Sequence, residues 1–168
     1  VAGVNCSDHE VNIKILLDRV VLDGDLTVAD RDTLLAAMTD EVGALVLRDN
    51  YEQNILLGNA RVQAHSMLPV HRRFIRSLEK AGQLDRALEF LPRDSVLEAR
   101  GSSGRGLTSP EFSVLVAYAK ITLQRDLLEG GLPDEPWFTS ALRQYFPHQI
   151  GERYGEALPD HPLRREII

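Results

Sequence analysis

The feature that most restricts the fold of this chain is a long stripe of apolar and small residues at helical spacing. The stripe follows the acidic start Thr39-Asp40-Glu41 and comprises Ala44, Leu47, Tyr51, Ile55, Gly58 and Val62. Steps of three or four residues match one face of an α-helix, and acidic residues favour the N-terminus of a helix. We therefore predict one helix from residue 39 to about residue 65. Its about 26 residues would span roughly 39 Å, which is enough to cross a domain.

Helical periodicity also dominates the rest of the chain, and no alternating strand pattern of useful length appears. Glycine and proline separate the periodic stretches, at positions where helices commonly begin or end. The other principal helices are predicted over residues 8–22, 27–38, 69–81, 84–91, 109–129, 137–145 and 148–157. The glycine-rich residues 101–106 are predicted to form a flexible connector. The predicted fold is an all-α, irregular multi-helix bundle of about seven or eight helices.

The helix over residues 109–129 is expected to be the central element of this bundle. Ser109-Pro110-Glu111 combines a capping residue, a proline at the first helical position and an acidic residue in the first turn. The following residues, Phe112–Leu123, are apolar on nearly every side. This pattern is typical of a helix that is buried all round.

The first ten residues predict a helix that starts behind a short extended segment. Ser7 is followed three residues later by Glu10, which is the spacing of a capping box. Residues 1–7 would then be an extended N-terminal remnant, the tail of a preceding strand or turn. The other end of the sequence stops just after a new helix begins near His161. We therefore expect this chain to be an excerpt from a longer protein.

Composition excludes several classes of function. The 168 residues are enough for one domain with a buried core, and the formal charge of −6 is spread along the chain, which argues against a nucleic-acid partner. The single cysteine cannot form an internal disulfide. No apolar run approaches the roughly 20 residues that span a bilayer. We predict a soluble, cytoplasmic protein with no membrane partner.

Patterns for metal or phosphate binding are weak. Asp8-His9-Glu10 lacks the second His at i+4 that a helical zinc motif requires. Residues 101–106 lack the Lys-Ser/Thr pair of a phosphate loop. Arg72, Arg76 and Lys80 form a basic stripe that we expect to face solvent or the acidic residues of a partner. We predict no metal site. From the pattern alone Ser7 is a helix cap, although a hydroxyl beside a helix N-terminus can also bind a carboxylate.

Several separated segments carry a family resemblance. Gly3-Val4-Asn5-Cys6-Ser7, with Glu10 after it, resembles the part of amino-acid dehydrogenases where the dinucleotide domain returns towards the substrate. The wider similarity is to the very large bacterial NAD-specific glutamate dehydrogenases. It rests on the segments Ala2–Leu17, Leu47–Tyr51, Gly106–Glu111, Ala117–Lys120, Tyr145–Pro147 and His161–Glu166. The chain departs from the common glutamate dehydrogenases at Ala2, where they have a glycine, and at Asp8-His9, where they have two aromatic residues.

The resemblance implies an enzyme that converts glutamate, NAD and water to 2-oxoglutarate, ammonium and NADH. In such an enzyme Ser7 would contact the side-chain carboxylate of glutamate, Val4 would line the same pocket, and Gly3 would allow close approach near the nicotinamide. The catalytic lysine, its acid partner and the glycine-rich NAD turn precede this segment in the family. We therefore expect no catalytic residue here, NAD bound mainly by the upstream domain, and no activity from the segment alone.

The resemblance also implies a domain organisation. Residues 1–7 would end the catalytic domain, and residues 8–168 would form a helical C-terminal domain that is truncated at its end. The expected partners are glutamate and 2-oxoglutarate, the rest of the same chain, and further copies in a homo-oligomer. The rival interpretation is a non-catalytic helical module for oligomerisation or regulation, in which the N-terminal resemblance is incidental.

Overall fold

The computed structural model of this chain describes the backbone of residues 2–168 and the side chains of residues 3–168. This part of the chain contains helices and turns but no strand, which confirms the predicted all-α fold. Its α-helices are α1 (Ala2–Leu22), α2 (Val28–Ala37), α3 (Thr39–Val62), α4 (Leu68–Lys80), α5 (Asp94–Ser102), α6 (Ser109–Glu129), α7 (Thr139–Tyr145), α8 (His148–Tyr154) and α9 (Arg164–Ile167). Short 3₁₀ helices cover Leu132–Asp134, Pro136–Phe138 and Gly155–Asp160.

The extended N-terminal remnant was a wrong prediction for residues 2–7. These residues form the first turns of α1, so Ser7 lies inside a helix and does not cap one. Glu10 pairs with Lys14 one turn further on. A Ser-x-x-Glu spacing also fits a helix interior, and residues 2–6 contain no proline that would end a helix before Ser7. Backbone bonds within the helix then satisfy the N–H groups that a cap would serve. Val1, also part of that prediction, lies outside the described residues.

The described chain divides into two compact units, of which one is Gln53–Leu123 and the other comprises the residues before and after it. In the unit formed by the residues before Gln53 and after Leu123, the buried residues of α1 recur at helical spacing. The core of this unit comprises Ile13, Leu16, Leu17, Leu34, Met38, Leu142, Phe146, Ile150 and Leu158. Each fully buried Leu or Ile contributes about 1.5–3 kcal/mol. As predicted, Thr27 caps α2, because its hydroxyl accepts a hydrogen bond from the Asp30 backbone N–H at 3.1 Å.

The unit Gln53–Leu123 has its own core around α4, α5 and the start of α6. Its buried residues are Leu68, Ile75, Leu78, Leu84, Leu91, Leu97, Leu107, Phe112 and Leu115. The predicted basic stripe on α4 faces acidic residues of α5. Arg72 Nη2 lies 2.7 Å from Glu98 Oε1, and Arg76 Nη2 lies 2.9 Å from Asp94 Oδ2. These ion pairs connect α4 to α5.

The predicted helix over residues 84–91 is absent, and this segment forms turns. Asp85 Oδ1 accepts from the backbone N–H groups of Ala87 and Leu88, and Phe90 has a positive φ of 55°. Aspartate competes with helix formation by such local bonds, and Pro92 restricts the residue before it. The turns are held by Arg86, which bonds both carboxylate oxygens of Glu79 and also reaches Asp94 and the Pro92 carbonyl.

The expectation that α6 is buried all round was also wrong. Within the described chain only Phe112 and Leu115 of this helix are buried, whereas Ile121 and Leu123 are 60% and 59% exposed. Apolar composition shows that a helix can be buried, but neighbouring elements decide which of its faces are covered.

Two neighbouring predictions need smaller corrections. α5 extends to Ser102, into the predicted connector, and the cap of α6 lies at Thr108, one residue before the predicted Ser109.

The start of α6 is held by a partly buried carboxylate. Glu111 Oε2 accepts from the Thr108 backbone N–H at 2.7 Å and from Arg100 Nη1 at 2.7 Å. This is the reciprocal half of a capping box whose first residue is Thr108. Burial raises the pKa of the Glu111 carboxyl, but the hydrogen bonds from Arg100 and Thr108 outweigh burial and hold that pKa below its usual value.

Acid is therefore expected to destabilise the unit Gln53–Leu123 in part through Glu111. A carboxyl with a depressed folded-state pKa contributes stability above its unfolded-state pKa, about 4.3, and loses it as the pH falls through the folded-state value. In Glu111→Gln the free energy of unfolding should decrease less between about pH 6 and about pH 3 than in the wild type. Urea titrations at several pH values measure this. Glu98→Gln, which removes a carboxylate of α5, is the control; equal flattening in both variants would contradict the assignment.

Candidate functional site

The three residues predicted to bind substrate or cofactor lie together at the start of α1. Gly3 and Val4 are adjacent, and Ser7 follows them by four and three residues. All three therefore lie on one face of the helix. All three are exposed, Val4 to 64%, and a Cβ added at Gly3 would meet no atom within 4 Å. The structure therefore presents this face to its surroundings.

One turn further along α1 lies a cluster of polar side chains that sequence reasoning missed. We call it the α1 polar cluster, and it comprises His9, Asn12, Asp49, Tyr145 and His161. The His9 side chain is only 3% exposed, and its ring stacks on Tyr145 with centroids 4.4 Å apart. Its Nε2 atom lies 3.4 Å from Asp49 Oδ2. Because a carboxylate can only accept, Nε2 carries the proton of this long hydrogen bond.

His161 connects the C-terminal segment to α1. Its Nε2 donates to the backbone carbonyl of Asn12 at 3.0 Å, and its Nδ1 accepts from the Leu163 backbone N–H at 3.0 Å. The carbonyl can only accept, so the Nε2-protonated tautomer satisfies both ring nitrogens. Residue 161 is 3% exposed, and its ring packs against Phe146 at a centroid distance of 5.6 Å. His161 is therefore a structural residue of this site.

The Arg164-Arg165 pair after His161 holds the same segment. Arg165 Nη2 donates to the carbonyl oxygens of Leu128 and Gly130 at the end of α6, and Arg164 pairs with Asp134. Carbonyl groups at a helix C-terminus lack partners within the helix and attract cations. Contacts of this kind account for several polar residues of the segment His161–Glu166.

The phenol of Tyr145 is partly buried and lies near Asn12, Asp8 and Asp49. Burial raises the pKa of its phenol, the hydrogen bond from Asn12 lowers it, and the nearby charges of Asp8 and Asp49 raise it further. The net result is a raised pKa, so the phenol is neutral at physiological pH. Asn12 Nδ2 donates to the phenol oxygen at 2.8 Å.

A cavity of about 330 Å³ opens beside the cluster. Its lining is mostly polar and comprises Asn5, Asp8, His9, Asn12, Asp49, Gln124, Tyr145, Leu163, Glu166 and Ile167. His9 Nδ1 and Asn12 Oδ1 are buried and have no hydrogen-bond partner among the described residues. In the same part of the chain, no group of three or more His, Cys, Asp or Glu side chains has the arrangement of a metal site.

The position of His9 follows from a pattern that the sequence contains. His9 lies four residues before Ile13, which begins the buried face continued by Leu16 and Val20. A polar residue in register with an apolar face is predicted to be buried, and a buried polar residue needs partners. Those partners, Asp49 and Tyr145, are 40 and more residues away in sequence, so periodicity along α1 does not identify them.

No helix in the described residues is both long enough and apolar enough to cross a membrane. Comparison with protein families gives two matches. Residues 1–60 match the family described as "Bacterial NAD-glutamate dehydrogenase, catalytic domain", and residues 104–168 match "Glutamate dehydrogenase, C-terminal". Together the two matches include every residue that lines the cavity.

Three curated relatives carry the name NAD-specific glutamate dehydrogenase. The chain is 51% identical to the protein from Halomonas elongata, 49% to that from Pseudomonas aeruginosa and 47% to that from Mycobacterium tuberculosis. Each match covers 99% of this chain but only 10% of the relative. The chain therefore belongs to the family of bacterial NAD-specific glutamate dehydrogenases, as a segment that spans about a tenth of the length of the relatives it matches.

Proposed function

We propose that this chain is part of an NAD-dependent glutamate dehydrogenase, which oxidises glutamate to 2-oxoglutarate and ammonium with transfer of a hydride to NAD. The observation that carries this proposal is the sequence similarity to three NAD-specific glutamate dehydrogenases. The chain is between 47% and 51% identical to them over 99% of its length. NAD binds mainly to residues outside this segment, and the catalytic groups also lie outside it. The segment alone is therefore inactive. The intact enzyme acts in the cytoplasm as a homo-oligomer.

Within this enzyme the start of α1 contributes to the substrate pocket. The Ser7 hydroxyl donates to the side-chain carboxylate of glutamate, Val4 lines the same pocket, and Gly3 lies near the nicotinamide. Their exposure on a single helix face supports this proposal, since the face is open to another part of the enzyme. Because Ser7 lies inside α1, its contribution comes from the hydroxyl and not from backbone N–H groups at a helix N-terminus. The boundary between catalytic and C-terminal domains at residue 7 stays a prediction.

Replacing Ser7 by alanine in the full-length enzyme tests the pocket. A hydrogen bond to a charged group contributes about 1.5–3 kcal/mol, so Ser7→Ala should raise the KM for glutamate about tenfold or more and change the KM for NAD little. Steady-state kinetics with each substrate varied in turn measures both constants. Cys6→Ala is the matched control, because Cys6 is the preceding exposed residue and points in another direction on α1. Unchanged glutamate kinetics in Ser7→Ala would remove the residue from the pocket.

The apolar stripe of the sequence analysis lies on α3, and we call it the α3 stripe. It favours a second role for this segment, in assembly of the enzyme. Ala44, Leu47, Tyr51, Ile55, Gly58 and Val62 are all exposed, Leu47 to 71% and Val62 to 88%. A row of exposed apolar side chains is typical of a surface that contacts another protein or another part of the same protein. If Ser7→Ala leaves glutamate kinetics unchanged, assembly becomes the leading role of this segment.

A further inference from the structure

We propose that the cavity beside the α1 polar cluster binds a protonated primary amine on a short aliphatic stem, with the ammonium group between His9, Asn12 and the carboxylates that line the cavity. This site is separate from the proposed glutamate pocket, since neither Ser7 nor Val4 lines the cavity. The proposal goes beyond the dehydrogenase function and does not depend on it.

Two residues that line the cavity, His9 and Asn12, each have a buried and unpaired polar atom that can accept a hydrogen bond. His9 Nε2 carries a proton towards Asp49, so in the neutral ring Nδ1 has a lone pair and no proton. Asn12 uses its amide nitrogen on Tyr145, which leaves the amide oxygen Oδ1 as its unpaired atom. His9 and Asn12 are three residues apart on α1 and therefore neighbours on one face. Leaving a buried acceptor without a donor costs about 1–3 kcal/mol, so a ligand rich in N–H donors is favoured here.

The charge around the cavity is negative. Asp8 and Glu166 line it from α1 and α9, and Asp49 lines it from α3. Arg48 Nε lies 4.0 Å from Asp49 Oδ1 and compensates part of that charge, but the described lining itself contains no Lys or Arg. Burial is the main cause of the raised pKa of the Tyr145 phenol, and the nearby charges of Asp8 and Asp49 raise that pKa further. A ligand that supplies donors at this place should therefore be a cation.

The arrangement of acceptors favours an ammonium group over a guanidinium group. The acceptors and carboxylates that line the cavity come from three helices, α1, α3 and α9, and not from a single helix. An ammonium group directs three donors into space, whereas the planar guanidinium fork is matched to a single carboxylate or phosphate. Leu163 and Ile167 add an apolar wall that can contact methylene groups. About 330 Å³ is enough for a ligand of a few non-hydrogen atoms.

Titration of the 168-residue chain with n-propylammonium tests the site. We expect saturable binding by calorimetry and shifts of the His9 and Tyr145 ring signals in NMR spectra. Tetramethylammonium has the same charge but no N–H donor, and it should bind at least about tenfold more weakly, the effect of losing hydrogen bonds to charged groups. Potassium ion and n-propylguanidinium should also bind more weakly than n-propylammonium.

Variants at exposed positions keep the test independent of folding. The double variant Asp8→Asn, Glu166→Gln removes two charges at the cavity without touching buried His9, and it should raise the Kd of n-propylammonium at least about fivefold. The matched control, Glu10→Gln with Glu156→Gln, removes two exposed carboxylates that do not line the cavity and should leave the Kd unchanged. Equal loss in both double variants, equal binding of tetramethylammonium, or no saturable binding would overturn the proposal.

The same titration of a full-length enzyme distinguishes two sources of the amine. Binding of n-propylammonium to both the 168-residue chain and the full-length enzyme identifies a free small amine as the ligand. Binding to the chain alone shows that another part of the enzyme occupies the cavity, and the chemistry of the cavity then predicts a lysine side chain as that occupant. Both results are independent of the Ser7 experiment, because Ser7→Ala leaves the lining of this cavity intact.

Discussion

Gly106→Ala is expected to destabilise the unit Gln53–Leu123 by about 3 kcal/mol or more, near or above the upper end of the usual cost of overpacking. A Cβ at residue 106 would lie 2.1 Å from the carbonyl oxygen of Ala64 and 2.3 Å from its carbonyl carbon. These are backbone atoms, which cannot rotate away as the end of a long side chain can. The segment that connects α3 to α4 would have to shift as a whole.

Hydrogen exchange of the α4 amides measures this loss within the unit concerned. The matched control is Gly58→Ala, because a Cβ at this glycine, inside α3, would meet no atom within 4 Å. That control should stabilise the helix by about 0.5–1 kcal/mol, since alanine is the better helix former. Equal changes of α4 protection, in the same direction, in Gly106→Ala and Gly58→Ala would show that residues 64 and 106 do not approach each other closely.

His161→Ala is expected to destabilise the other unit by about 2–4 kcal/mol. The substitution removes two part-buried hydrogen bonds, to the Asn12 carbonyl and from the Leu163 N–H, and a typical hydrogen bond contributes about 0.5–1.5 kcal/mol. It also removes the ring that packs against Phe146 and leaves a cavity there. The effects overlap, so they do not add in full.

The measurement is hydrogen exchange of the α1 amides from Ile13 onward. His148→Ala is the matched control, because His148 belongs to the same unit but its side chain is 73% exposed. It should change stability by less than about 0.5 kcal/mol, as is usual for exposed positions. Equal losses of α1 protection in the two variants would show that the contacts of His161 do not stabilise this unit.

Much of the fold could be predicted from local patterns. The bounds of α3, α4 and α6 follow from apolar spacing and from glycine, proline and acidic residues at their ends, and the Thr27 cap of α2 was also predicted. Local patterns failed where two conformations satisfy the same residues. Ser7-x-x-Glu10 fits a helix start and a helix interior alike, and residues 84–91 have helical composition although Asp85 and Phe90 adopt turn conformations.

The family and the helical class follow from the amino-acid sequence, because both depend on residues that are close together along the chain or on motifs that can be recognised one at a time. The tertiary structure was needed to show which helix faces are covered, as the exposed side of α6 and the α3 stripe illustrate. It alone revealed the α1 polar cluster, since His9 meets Asp49, and Asn12 meets Tyr145 and His161, across 40 to 149 residues of sequence. Hydrogen bonds and ring contacts depend on distances in space, and helical periodicity contains no information on which distant residue supplies the partner.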